Sequence, residues 1–246
     1  MADAHTRTQN RSVLVVGASR GLGEAIVETY VARGAAVVGT VRGDDRTPLH
    51  DFAERLHGSA KHDGDGSVEI EHVDIDHPEQ LTALADRLSE RTFDLLFIVA
   101  GISLVPMEEI AAEISTEDFS RMMTTNVLGV IRAVETLQAL VSPTGTIAVM
   151  SSGQGSISDN TSGGFEVYRA TKSALNQLMR SYAARHADDA RTILLMAPGW
   201  VKTGLGGPHA KLAIGDAIPP LVDTVDAQRG TPGLQYLDRT GATIPW

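Results

Sequence analysis

The sequence predicts an α/β fold: a doubly wound, mostly parallel sheet with helices on both faces, forming a single domain over residues 11–246. Three observations carry this. Short β-branched runs such as Ser12–Val16 and Ala36–Val41 read as strands buried on both faces. Amphipathic helical patterns alternate with these runs, the order that gives parallel pairing. A glycine-rich turn, Gly17-Ala18-Ser19-Arg20-Gly21-Leu22-Gly23, joins the first run to the first helix. Strand, turn, helix and strand within about thirty residues make a βαβ unit with a right-handed crossover.

The elements follow in order. Residues 1–10 are polar and read as a flexible N-terminal tail. After the glycine turn, Leu22, Ala25, Ile26 and Tyr30 share a helix face, and Arg33-Gly34 closes that helix. A polar loop and a short helix fill 43–57. Gly58–Ser67 is a loop whose Asp63-Gly64-Asp65-Gly66-Ser67 resembles a calcium loop, but its glycines are out of place and no helical frame surrounds it. Val68–Val73 alternates as a third strand, ending at Asp74. Pro78–Arg91 is helical, and Asp94–Gly101 is a fourth strand. Ser115-Thr116-Glu117-Asp118 has the form of a capping box and opens a long helix through Met122, Asn126, Ile131 and Leu137. Thr146–Met150 is the fifth strand and delivers Ser151 and Ser152 at its C-terminal end, the edge beyond which ligands sit in such sheets. Phe165–His186 is a helix, Arg191–Ala197 a sixth strand, and Leu234–Leu237 a last strand. Residues 200–233 are rich in Gly and Pro and carry no assignment. There is no internal repeat.

Composition removes several functions. The net charge is −10 with mixed signs and no basic face, which argues against nucleic acid and anionic membranes as partners. No apolar run is long enough to span a bilayer, and the first residues lack a signal-peptide core. There is no cysteine, so disulfide and thiolate chemistry are excluded. The histidines at 57, 62, 72 and 77 lack ligand spacing, and no metal site is expected. A cytoplasmic protein is the expectation.

Two motifs carry chemistry. Glycines let a diphosphate approach the backbone, and the helix that follows offers free N–H groups and a positive dipole end. The spacing is G-x-x-x-G-x-G rather than the commoner dinucleotide fingerprint G-x-G-x-x-G, yet its place between buried strand and helix favours nucleotide binding. Tyr168 and Lys172, four apart on one helix, share a face. A phenol ordinarily ionises near pH ~10. A neighbouring ammonium is expected to draw that pKa down, making Tyr168 a proton donor or acceptor at a carbonyl/alcohol oxygen. At the end of the second strand, where NAD sites place a carboxylate, this chain has Val41 followed by Arg42. Arg42 and Arg20 are positioned to converge on a 2′-phosphate, which favours NADP. The alternative is that Asp44 or Asp45 folds back to hold an NAD ribose.

In order and position these signals resemble the short-chain dehydrogenase/reductase family, in its single-domain branch of this length, over nearly the whole chain. The runs Gly155–Ile157 to Tyr168–Ala170 and Thr243–Trp246 are most similar to C-factor and sniffer-type carbonyl reductases. The resemblance implies a Rossmann-type fold and a catalytic set of Ser152, Tyr168, Lys172 and Asn126. It places Gly17, Ser19, Arg20, Gly21, Leu22, Gly23 and Arg42 on the cofactor, with Asp74 and Ile75 at its adenine. Ala100, Gly101, Tyr168, Lys172, Pro198, Gly199, Val201 and Thr203 would meet its nicotinamide half. Asn126 would kink its helix and place a water leading to Lys172. Two positions depart from the family pattern. Ile98-Val99 replaces an Asn-Asn pair, and Ser152 lies sixteen positions before Tyr168, which lengthens the loop around Asp159–Gly164. Ser151 is the other serine at the strand end, and adjacent strand residues face opposite ways.

The implied activity is NADP(H)-dependent hydride transfer between a nicotinamide and a small carbonyl or alcohol. Ile102, Leu104, Val105, Pro106, Trp200, Val201 and Leu205 suggest a mainly apolar pocket. A homo-dimer or homo-tetramer formed through the helices of Asn126 and Tyr168 is expected from the resemblance. A non-catalytic, dinucleotide-sensing protein is the alternative on the same fold, and a lyase or epimerase is a third reading.

Overall fold

The computed structural model describes residues 11–58 and 65–246. The N-terminal tail expectation, and His62 with the start of the Asp63–Ser67 loop, lie outside the described residues. The chain runs β1 (Ser12–Val16), α1 (Gly21–Ala32), β2 (Ala36–Val41), α2 (Pro48–His57), β3 (Ser67–His72), α3 (Pro78–Arg87) and β4 (Phe93–Ile98). It continues through α4 (Thr116–Met123), a π-helical segment (Thr124–Gly129), α5 (Val130–Leu137), β5 (Val141–Met150), α6 (Glu166–Arg185), β6 (Thr192–Ala197), α7 (Ile214–Ala227) and β7 (Gly233–Asp238). Seven strands form one sheet in the order β3-β2-β1-β4-β5-β6-β7. Every strand pair is parallel, with Val13 opposite Val37 and Leu14 opposite Leu96. The strand order reverses between β1 and β4, which opens a crevice at their C-terminal ends.

Alternation along the strands divides the core into two layers. Leu14, Val16, Leu96, Ile98, Ile147 and Val149 face Leu81 and Leu84 of α3, Val134 of α5 and Leu175 and Met179 of α6. Val13, Val15, Leu95, Phe97 and Ala148 face Ile26, Val27 and Tyr30 of α1 and Leu221 and Val225 of α7. Burying each such Leu, Ile or Phe is worth about 1.5–3 kcal/mol, so this double face, not helix propensity, holds the helices. Arg11, buried against α1, pairs with Asp226 of α7. Asp226 also accepts from the Tyr30 hydroxyl at 3.1 Å and from Arg33 at 3.2 Å.

Boundaries differ from the sequence reading at several points. Helix α3 ends at Arg87 rather than Arg91, and β4 ends at Ile98, with the Val99 and Ala100 N–H groups both donating to the Val16 carbonyl. Strand β5 begins at Val141, five residues earlier than expected, across an irregular register beside Phe93. The unassigned 200–233 region contains α7, whose second turn holds Pro219 and Pro220. The carbonyls these prolines leave without donors belong to exposed Gly215 and Asp216, while Ala217, Ile218, Leu221 and Val222 are buried.

The sheet's two margins are closed differently. On β3, Glu69 pairs with Arg91 and Glu71 with Arg87, each at 2.7 Å. Along β7 the chain turns back, so that the Ile244 N–H donates to the Tyr236 carbonyl and the Asp238 N–H to the Ala242 carbonyl, both at 2.9 Å.

Candidate active site

A cavity of about 1280 Å³ lies beyond the C-terminal ends of β1, β4 and β5. It is lined by every cofactor-binding and catalytic residue expected from the sequence except Asn126, which sits fully buried behind it. The glycine turn forms one wall. Gly17 has φ +92°, and a Cβ there would stand 2.6 Å from the Ala100 nitrogen. A Cβ on Gly23 would come within 2.0 Å of the Gly17 carbonyl oxygen. No side chain is admissible at either position, so the first turn of α1 lies against the β1–β4 crevice. Arg20 precedes α1 in extended conformation, and its side chain makes no cap bond. The Gly21 N–H meets the Glu24 carboxylate, and no N-cap side chain takes the other first-turn N–H groups, which suits them to an anion. The turn is braced by Thr40 of β2, whose Oγ1 accepts from the Gly17 N–H and whose carbonyl accepts from the Ala18 N–H.

Val41 is buried and its side chain offers no acceptor, while its carbonyl is taken by the Val73 N–H at 3.0 Å. Arg42 and Arg20 are exposed and line the same end of the cavity, with no bonded partner among the described residues. Nearby Arg46 is engaged by Asp51 and Glu54. The Asp44 carboxylate lies 4.0 Å from His72, whereas Asp45 lines the cavity. Asp74 is held by its neighbours: its N–H donates to Gln80 at 2.9 Å and its carboxylate accepts from the Asp76 N–H at 3.1 Å. Ile75 beside it is buried, its edge on the cavity.

At the other end stand Ser152, Tyr168 and Lys172. Hydrogen bonding separates the two serines. Ser151 borders the cavity as well, but it is buried and its hydroxyl is committed to Asn176, to which it donates at 2.6 Å. Ser152 faces the cavity and accepts from the Gln154 N–H at 3.1 Å. The Tyr236 hydroxyl donates to the Ser152 carbonyl and fixes the serine from behind. Sequence reading missed Tyr236, because nothing local distinguishes it from an ordinary core tyrosine. Lys172, buried on α6, donates to the Met150 carbonyl at 2.9 Å and lies 5.8 Å from the centre of the Tyr168 ring. The Asn126 side chain is engaged at both its oxygen and its nitrogen. Its Oδ1 accepts from the Ile102 N–H, and its Nδ2 donates to the Ile102 carbonyl at 2.8 Å and to Thr171 at 3.2 Å. It thus pins the segment after β4 against α6. At Asn126, where a kink was expected, the helix widens to i→i+5 bonding in the π-helical segment.

The electrostatics differ from the expected picture. Burial pushes the Tyr168 phenol up to about 12, against the opposing pull of the Ser152 hydroxyl beside it. Burial also pushes the Lys172 ammonium down, to about 8. In the protein alone, desolvation dominates both groups, and the lysine does not draw the tyrosine's pKa towards neutrality. The physical reason is distance and depth: the ammonium is turned to Met150, and each charged form loses its water.

The apolar pocket is partly as expected. Ile102, Trp200, Val201 and Leu205 line the cavity, whereas Leu104, Val105 and Pro106 do not and Met107 does. Val99, standing in place of a polar residue, packs on the core layer of β1 and lines the cavity floor. The lengthened loop contributes Ser162, Gly163, Gly164 and Phe165 to the rim. Its consecutive glycines were the one sequence signal for its conformation.

Among the described residues no His/Asp/Glu cluster is arranged for a metal, and no helix is long and apolar enough to cross a membrane. The family model for short chain dehydrogenases matches residues 11–211. A curated relative, 1-hydroxy-2-glutathionyl-2-methyl-3-butene dehydrogenase from a Rhodococcus species, is 28% identical over 96% of this chain and 99% of its own length. A crystal structure described as a short-chain dehydrogenase/reductase from Burkholderia multivorans with bound NADP is 50% identical, with a TM-score of 0.91 over 96% of this chain and 100% of that one. A carbonyl reductase from Pseudomonas aeruginosa in complex with NADP is 31% identical, with a TM-score of 0.84 and the same coverage.

Proposed function

Since the chain belongs to the short chain dehydrogenase family, we propose that it is an NADP(H)-dependent oxidoreductase acting on a carbonyl/alcohol pair of mainly apolar character. The observation that carries this reading is the shared cavity. A helix N-terminus with no N-cap side-chain bond and two unpartnered arginines stand at one end, and Ser152, Tyr168 and Lys172 at the other. The Gly17 and Gly23 contacts, which admit no side chain, suit a diphosphate lying against the backbone. Arg20 and Arg42 would hold a 2′-phosphate, and the two similar structures with NADP support that choice. Asp74 and Ile75 would flank the adenine, and Pro198, Gly199, Val201 and Thr203 would cover the nicotinamide half.

The nicotinamide supplies or receives the hydride. The remaining work falls to side chains of this protein. Tyr168, neutral at working pH, would donate its phenolic proton to the substrate oxygen in reduction and take it back in oxidation. Ser152 Oγ, on the same wall, would hydrogen-bond that oxygen and steady its developing charge. Lys172 titrates near physiological pH, which suits it to return a proton to Tyr168. Asn126 would act as a strut, holding Ile102 and the π-helical segment beneath these groups.

Exposed Phe119 on α4, Leu128 in the π-helical segment and Leu178 on α6 support a homo-oligomer built through these helices. The deciding experiment is consumption of NADPH by purified protein across a panel of ketones and aldehydes. Tight NADPH binding with no turnover of any carbonyl would favour the sensor reading. Product formed without net nicotinamide oxidation would favour a lyase or epimerase.

A further inference from the structure

The loop ahead of the catalytic helix has an unusual backbone. Gly163, Gly164 and Phe165 have φ of +63°, +68° and +54°, three consecutive residues in the left-handed region. Phe165 is the only non-glycine residue with positive φ among the described residues, and it stands three positions before Tyr168. Glycine tolerates this conformation; phenylalanine resists it and must be held there.

Arg169 is placed to hold it. Side chains on a helix lean towards its N-terminus, so Arg169, in the first turns of α6, folds back over the loop. Its Nε donates to the Gly164 carbonyl at 2.9 Å, and its Nη2 to the Gly163 carbonyl at 3.0 Å and to Ser162 Oγ at 3.3 Å. The side chain is otherwise badly situated. It is 9% exposed, it is a cation at the positive end of a helix, and no carboxylate pairs with it among the described residues. Glu166, the nearest acid along α6, is turned to the Ala111 N–H at 2.8 Å. The guanidinium is therefore satisfied by the oxygens of the left-handed turn and by no acid.

That turn forms part of the cavity wall. The Phe165 N–H donates to the Met107 carbonyl at 2.8 Å, and its ring meets Trp200 edge-on at 6.4 Å. Trp200 is in turn anchored by its indole N–H to the Gly206 carbonyl at 2.8 Å. Met107, Phe165 and Trp200 make one apolar face beside Tyr168.

We propose that Arg169 is a specificity-determining positioning residue: it fixes the left-handed turn Gly163–Phe165 and so sets the shape of the apolar wall that receives the non-reacting part of the carbonyl substrate. This rests on the carbonyl reading given above. The test uses Arg169→Gln and Arg169→Lys, with benzaldehyde and propanal as probes. The KM for benzaldehyde rises about tenfold or more, the scale of a lost pocket contact, while that for propanal moves much less. The dissociation constant for NADPH, read by fluorescence, stays unchanged. Lysine does not rescue, because one ammonium cannot span three oxygens as a planar fork does. Amide exchange at Phe165, followed by mass spectrometry, speeds up by about tenfold or more as the turn loosens. Gly163→Ala provides a second route that leaves Arg169 and the core intact. Nothing lies within 4 Å of a Cβ at that position, so alanine opposes the backbone conformation without meeting a neighbouring atom. It shows the same selective rise in benzaldehyde KM. Unchanged exchange in both arginine variants overturns the strut. Faster exchange with equal effects on the two aldehydes, or with weakened NADPH binding, overturns the specificity role. Wild-type protein that reduces neither aldehyde overturns the carbonyl reading and this role with it. The exchange data, which need no turnover, distinguish that failure from failure of the strut.

Discussion

Replacing Lys172 by methionine should stabilise the protein while abolishing its activity. The lysine is 3% exposed, and burial holds its pKa at about 8 against an ordinary 10.5. At about 1.4 kcal/mol per pH unit, that gap is a penalty of about 3 kcal/mol on the folded state when the lysine is charged. The sign follows from proton counts. Below about pH 8 both states hold the proton and the penalty is fully present. Between about 8 and 10.5 the unfolded chain keeps a proton that the folded state has released, so wild-type stability rises with pH until both are neutral. Methionine has similar length and no charge, but it forfeits the hydrogen bond to the Met150 carbonyl, worth about 1 kcal/mol. Lys172→Met is then more stable than wild type by about 2 kcal/mol near neutral pH, or about 4–8 °C in Tm for a domain of this size. The advantage disappears by about pH 10. Urea unfolding of both proteins without cofactor, at the two pH values, measures this directly. A variant less stable than wild type at neutral pH, or a stability difference that does not change with pH, would refute the reasoning.

Tyr168→Phe removes the proton donor while keeping the ring, and kcat should fall at least ~10²-fold with NADPH binding intact; retention of half the wild-type rate would sink the assignment. Arg42→Ala should raise the KM for NADPH about tenfold or more, since a charge-assisted phosphate contact is worth about 1.5–3 kcal/mol, and leave the KM for NADH nearly unchanged. Equal kcat/KM for the two cofactors in wild type would contradict that choice. Sedimentation should show a dimer or tetramer at micromolar concentration, lost on Leu128→Asp in the π-helical segment; a wild-type monomer would remove the assembly proposal.

Much of this was legible in the sequence for a physical reason: strands buried on both faces leave unbroken apolar runs. Val13–Val16 and Leu95–Ile98 are such runs, and between them lies a turn where only glycine fits beside Ala100. Tyr168 and Lys172 could be paired because helical spacing puts them on one face, and Ser152 could be set against Ser151 because strand residues alternate. The rest depends on tertiary context. The π-helical segment could not be read from the hydrophobic pattern of 116–137, since a single π turn interrupts the helical period too briefly to register. Helix α7 was hidden by Pro219-Pro220, which are tolerated because the carbonyls they orphan are exposed while the opposite face packs on the sheet. The pKa of Tyr168 was misjudged because spacing reports proximity, whereas burial decides which charged form survives.

The two margins of the sheet bear on how the protein behaves in concentrated solution. An open edge strand invites a neighbour's strand, and both edges here are guarded, one by charge and one by the chain's own fold-back. The Glu–Arg pairs on β3 are partly exposed, so dissolved ions weaken them, whereas the hydrogen-bonded return along β7 is indifferent to ionic strength. Self-association through backbone pairing should therefore begin on the β3 side and grow with added salt. Light scattering of wild type and of Arg87→Ala/Arg91→Ala across a salt series tests this: the double variant should scatter at low salt as wild type does only at high salt.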